Sequence, residues 1–141
     1  MSYDLGVWFP YERLNDVDAG KLYSGLCDST AANPKMHSAI DAFYRDLISQ
    51  YPEVESVSED RLNDHEYCPW SCPFDRSSGH VIMSCVWSQA ERVDAVVREL
   101  ARKHGLAVFD PQSGRISYPD SEPAKPSAES PQRRAWWKLW R

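Results

Sequence analysis

No stretch of this 141-residue sequence approaches the roughly 20 consecutive apolar residues that a membrane-spanning helix needs. Its opening has no basic region, and Asp4 interrupts any early apolar run, so no secretory signal is read there. The expected compartment is therefore the cytoplasm, where Cys27, Cys68, Cys72 and Cys85 stay reduced thiols. Glycine is scarce: six residues, none in a loop that would cradle a phosphate. Gly-x-Ser-x-Gly and His-Glu-x-x-His are both missing, so the familiar hydrolase and metalloprotease signatures have no candidate. Acids are absent from the last nine positions. The chain carries a net charge of -5, and the four basic groups of residues 133–141 leave residues 1–132 at -9. Affinity for a phosphate backbone rests on clustered Lys and Arg, so nucleic acid is an unsuitable partner for such a body. A basic protein suits it better, because complementary charge speeds encounter.

What is present is clearest between Gly79 and Gln112. The apolar run from His80 to Trp87 reads as a strand, and Leu106 to Phe109 as another. Between them, Ala90, Val93, Val96, Val97, Leu100, Ala101 and His104 recur at helical spacing, with charged residues opposite. Ser88 and Glu91 match a capping box, and Gly105 a left-handed stop. Asp94 with Arg98, and Glu99 with Lys103, are acid-before-base pairs four residues apart.

Upstream, Tyr3 to Phe9 alternates as a strand ended by Pro10. A helix is expected from Asp16, with Ala19, Leu22, Tyr23 and Leu26 on one face; a second follows the loop 28–37, with Ser38 as its cap and Pro52 as its stop. Glu53 to Glu66 holds six acids and reads as an exposed connection, with a short strand at Val54 to Val57. Pro69 and Pro73 confine the segment Cys68 to Ser77 to a sheet edge, paired as a hairpin with the His80 run. Strand, helix pair, strand, strand, helix, strand is the split pattern of a ferredoxin-like α+β fold, an antiparallel sheet with helices on one face. The run from Val81 to Trp87 is apolar on both parities, however, so the other face needs cover as well.

Residues 1–118 thus form one domain whose 42% apolar content and six Trp suffice for a core without metal or disulfide. Residues 119–132 are a Pro/Ser-rich linker, and residues 133–141 a Trp/Arg-rich tail. That tail has three readings. It lies on a membrane surface, as Trp and basic residues favour; or it binds a partner protein through Arg134, Trp136, Trp137, Leu139 and Trp140; or it folds back over Trp8, Ile82 and Val86, in its own chain or in a neighbour to give an exchanged homodimer.

The most site-like cluster is His65, Cys68 and Cys72 with His80 beyond, the ligand types of a tetrahedral zinc site. It supports an alternative reading as a small metal- or ligand-binding enzyme. The spacing fits poorly, since structural sites pair their Cys or His more regularly. Three residues separate Cys68 from Cys72, where a thioredoxin-like redox site has two. Trp70 and Trp87 suit a packed core better than a ligand pocket. No catalytic residue and no cofactor is assigned.

The opening Met-Ser-Tyr-Asp-Leu-Gly-Val-Trp, the segment from Phe43 to Pro52, Pro69-Trp70, the run from Met83 to Trp87 followed by Glu91, and His104-Gly-Leu resemble a family of small uncharacterised bacterial proteins. The resemblance covers about Tyr3 to Gln112 and omits the tail; Cys68 and Cys72 lie outside its pattern. It implies a domain rather than a reaction, and a role as an immunity protein paired with a secreted toxin. The expectation is a non-enzymatic module that binds another protein.

Overall fold

The computed structural model describes residues 2–119. Five strands form one antiparallel sheet in the order β2-β3-β1-β4-β5: β1 (Ser2–Trp8), β2 (Asp75–Arg76), β3 (His80–Val86), β4 (Ala107–Asp110) and β5 (Arg115–Ser117). Three helices join them, α1 (Asp16–Cys27), α2 (Ser38–Gln50) and α3 (Ala90–His104). The class is α+β. Among the described residues, no helix is long and apolar enough to cross a membrane. The linker beyond Pro119 and the tail residues Arg134, Trp136, Trp137, Leu139 and Trp140 lie outside the described residues.

Strand alternation sorts the apolar residues into two cores. Leu5 and Val7 of β1, Val81, Met83 and Cys85 of β3, and Val108 of β4 pack against Ile40, Phe43 and Leu47 of α2 and Val93, Val97 and Leu100 of α3. Trp8, Ile82, Ala107 and Phe109 take the opposite parity and pack against Ala19 and Leu26 of α1, with Tyr118 beside them. Helices on one face, as expected, therefore holds for α2 and α3 but not for α1. The correction follows from the apolar surplus of β3: the second face needed cover, and α1 provides it. Trp8 and Ile82 are left only 3% and 6% exposed, so the tail is not required there. Gly6 makes the close approach possible, because a Cβ at that position would sit 2.9 Å from Cδ1 of Tyr23 in α1.

Local signals explain most of the element ends. Asn15 caps α1 by accepting from the Asp18 amide at 2.8 Å. His37, rather than Ser38, caps α2 through Nδ1, which accepts from the Ala39 amide at 3.0 Å. α3 ends at Gly105 with φ 72°, the left-handed stop read from the sequence. Its start differs: Trp87–Gln89 form a 3-10 turn, and no side chain caps the helix. Val54–Ser56 is likewise a 3-10 turn rather than a strand. The Cys68 to Ser77 segment reduces to the two-residue β2 and one bridge between Trp70 and Cys85. β5 is a strand beyond those the sequence predicts.

Ion pairs lock the helices in place. Arg98 bonds Asp94 at 2.9 Å within α3 and reaches Oγ of Ser117 in β5 at 3.1 Å, while Asp94 accepts from the Tyr3 hydroxyl at 2.7 Å. Lys103 pairs with Asp46 of α2 at 3.0 Å rather than with Glu99, and His104 joins the same carboxylate at 2.7 Å. The His104 and Lys103 hydrogen bonds hold the Asp46 carboxyl below the usual carboxylate range.

Val97 is 0% exposed, whereas Val96 flanks the core and is only partly buried. Val97→Asp places an unpaired charge between α3 and the sheet at a cost of about 3–5 kcal/mol. The expected outcome is loss of the cooperative urea transition in Val97→Asp and its retention, at a lower midpoint, in Val96→Asp. Equal midpoints for the two variants would show that the α3 register is wrong.

Candidate functional site

The four residues of the zinc-type reading are not brought together. Cys68 is buried and donates its thiol hydrogen to the Pro52 carbonyl at 3.3 Å. It turns inward because the Trp70 indole N–H bonds the Tyr51 carbonyl at 3.0 Å and Trp70 bridges to Cys85. Cys72 is exposed and His65 half-buried. His80 pairs with Trp8 at the far end of β3, five residues or ~16 Å along the strand from Cys85. Among the described residues, no group of three His, Cys, Asp or Glu side chains is placed to hold a metal ion. His80 instead shares a 2.7 Å hydrogen bond between Nδ1 and the Ser77 hydroxyl. Its buried Nε2 stays unpartnered, 3.6 Å from Oδ1 of Asp75. Burial pushes the imidazole below its ordinary value, and Asp75 only partly opposes this, so His80 is neutral at pH 7.

The same segment builds a different kind of surface. After α2, residues 53–67 run through two 3-10 turns, with Val54 and Val57 packed on the core. Arg92 of α3 fastens the segment: its guanidinium donates to the Glu66 carbonyl at 3.0 Å and lies 5.1 Å from the centre of the Tyr51 ring. Further on, the Val86 amide bonds the Pro69 carbonyl at 2.8 Å, which brings Tyr67 and Trp87 to one edge.

With the backbone fixed in this way, Glu55, Glu59, Asp60, Asp64 and Glu66 all point to solvent. The stretch 53–66 contains six carboxylates and one Arg. That Arg61 lies 3.6 Å over the Tyr67 ring and bonds Asp64 at 3.1 Å. The Ser58 hydroxyl holds the Asp60 carboxyl below the usual range, and the Arg61 bond does so for Asp64. Both stay charged well below neutral pH.

Leu62 and Tyr67 are exposed within this acidic segment, and Trp87 is exposed next to the Val86–Pro69 hydrogen bond that follows it. Trp87 is 51% exposed, yet its ring is set by an edge-on contact to Tyr3, with centroids 5.5 Å apart. Reading Trp87 as core is therefore corrected. The strand stops at Val86, and the 3-10 turn that follows swings the indole outward. Trp70, by contrast, is core, ringed by Tyr51 and Phe74. An available sign for Trp87 is its position at the end of the apolar run, three residues before the helix that begins at Ala90, where strand parity no longer applies.

Comparison of the chain with protein-family models, with curated proteins and with solved structures finds no match. The acidic edge therefore stands on its geometry alone.

Two measurements check this arrangement. A thiol reagent applied to the native protein should label Cys72 first and Cys27 more slowly, since burial pushes the Cys27 thiol up. Cys68 and Cys85 should react only in denaturant, the Cys85 thiol being pushed up to about 12 by burial. Fast native labelling of Cys68 would contradict its inward placement.

The second measurement is stability against pH. Because His80 has a lower pKa folded than unfolded, the unfolded chain takes up the proton first as pH falls below about 6.5. Stability should therefore drop over that window, and His80→Gln should flatten the drop in a thermal melt series. Identical profiles for the two proteins would show that His80 is not the buried neutral group.

Proposed function

We propose that this protein is a non-enzymatic protein-binding module that takes a basic protein on the acidic edge formed by residues 53–67 and Trp87. The observation that carries the reading is Trp87 itself, half exposed and held by Tyr3. A pre-set Trp with a neighbouring Tyr is the kind of anchor on which interface energy concentrates, because little side-chain freedom is lost on binding. The surrounding carboxylates supply attraction at a distance and reject acidic competitors. In its sharpest form the module is an immunity-type inhibitor that masks a secreted toxin, as the family resemblance implies. It acts in the cytoplasm, where its four thiols remain reduced.

The test is affinity capture from the native cell with the full chain as bait, followed by titration of the captured protein. Trp87→Ala should weaken binding at least tenfold, about 1.4 kcal/mol. Reversing Glu55, Glu59 and Asp60 to Lys should slow association and flatten its dependence on salt. Tyr11→Ala, at an exposed aromatic elsewhere on the surface, should leave the affinity unchanged. A partner that binds all three variants as it binds the natural chain would overturn the proposal.

A further inference from the structure

Where the turn between β2 and β3 meets the start of α2, the fold forms a pocket of about 310 Å³. Met36, Ser38 and Ile40 line it from the α2 side, and Arg76 and Ser78 from the turn. These turn residues precede His80, the first residue of β3, whereas Trp87 follows Val86, the last. The length of that strand, ~20 Å, separates the two places.

Both walls are fixed from outside the pocket. On one, the Phe9 ring stacks on His37 with centroids 3.8 Å apart, and the Tyr11 hydroxyl donates to the Met36 carbonyl at 2.8 Å. On the other, the Arg76 guanidinium lies 3.7 Å from the centre of the Tyr44 ring, one turn along α2 from Ile40. The walls are clamped together where the His37 amide bonds the Ser78 carbonyl at 3.3 Å. Gly79 completes the clamp, because a Cβ at that position would collide with the Pro34 carbonyl oxygen. A pocket held in this way exists before a ligand arrives, so little freedom is lost on binding.

The lining decides what fits. Met36 and Ile40 suit an apolar body, with Ile40 only 2% exposed. Arg76 is exposed and offers a planar guanidinium, the group that matches a carboxylate with two parallel N–H donors. Among the described residues it forms no ion pair. Its neighbour Asp75 takes the other face of β2, in register with Ile82 where Arg76 meets Val81, and stands 3.6 Å from Nε2 of His80. Asp41 also lines the pocket, but Arg45 holds its carboxylate at 2.8 Å. Lys35, 5.0 Å over the Tyr11 ring, adds a second cation on the Met36 side. In a chain of net charge -5 this mouth is locally basic, which favours an anion. With Asp41 close by, a single negative charge suits it better than the double charge of a phosphate monoester.

We propose that this pocket binds a free small monocarboxylate with an apolar body, its carboxylate on Arg76 and its body between Met36 and Ile40. The site is separate from the surface around Trp87, so it holds or fails independently of the protein-binding reading.

The experiment titrates full-length, isotope-labelled protein with hexanoate and follows the amide signals. Saturable shifts of Met36, Ser38, Ser77 and Ser78 are expected, with a dissociation constant of about 1 mM or below. Acetate has the charge without the body, and hexylammonium the body with the opposite charge; both should leave those amides unmoved. Arg76→Gln should weaken hexanoate binding about tenfold. Ser78→Phe, at an exposed position, should fill the pocket and abolish saturation. Since Arg76 also packs on Tyr44, a thermal melt checks that Arg76→Gln folds; should it not, Ser78→Phe and the hexylammonium comparison decide. Four results would overturn the proposal: hexanoate shifts that fail to saturate or that fall on Gly20 and Phe109 instead, hexylammonium binding as well as hexanoate, unchanged affinity in folded Arg76→Gln or in Ser78→Phe, or tighter binding of a peptide through its free C-terminal carboxylate, which would assign the pocket to a protein ligand.

Discussion

β1 is contacted on all four sides, and the rest of the structure depends on how that is achieved. Along its length it pairs with β3, from Ser2 opposite Val86 to Trp8 opposite His80, and its last residues pair with β4. Its faces go to different cores, Leu5 and Val7 to one and Trp8 to the other. From Leu5 to Trp8 the strand is buried on both faces, so this half needs a partner layer on each side. α2 and α3 form one layer. α1, a continuous helix that contains Gly20 and Gly25, forms the other.

Legibility in the sequence tracks how local each determinant is. The α3 stripe and the Gly105 stop were readable because helical periodicity and a left-handed cap are properties of a few adjacent residues. The alternation of β1 was readable for the same reason. Which side of the sheet α1 would take was not, since a helix pattern says which face is buried and nothing about against what. The surplus on β3 calls for a second layer, and the structure shows α1 as its source. β5 is not legible because Arg115–Ser117 contains a single apolar residue, Ile116, and its pairing is set by a turn at Gly114 with φ 72°.

The site was the less legible part. The acids of residues 53–66 were visible as composition, but their attachment to α3 through Arg92 and the outward turn of Trp87 come from contacts that no window of sequence contains. Cys68 illustrates the converse error. A thiol near another thiol and two imidazoles suggested ligands, yet its direction is decided by the Trp70 bond to Tyr51, 19 residues away in sequence. Residue types propose chemistry, whereas the partners of the neighbouring backbone decide whether those residues can meet.

The hydroxyl of Tyr118 holds both backbone groups of Leu14 across a separation of 104 residues. β1 likewise finds its neighbours only after residues 80–109 exist. During synthesis the first strand, with Tyr3, Leu5 and Val7 on one face and Trp8 on the other, is thus made long before anything it can pair with. Closing loops of this length costs chain entropy before any contact rewards it, so folding is governed by long-range closure and belongs to the slower range for a domain of this size. Until the last strands emerge, the exposed first strand is the segment of the chain most open to pairing with another copy of itself.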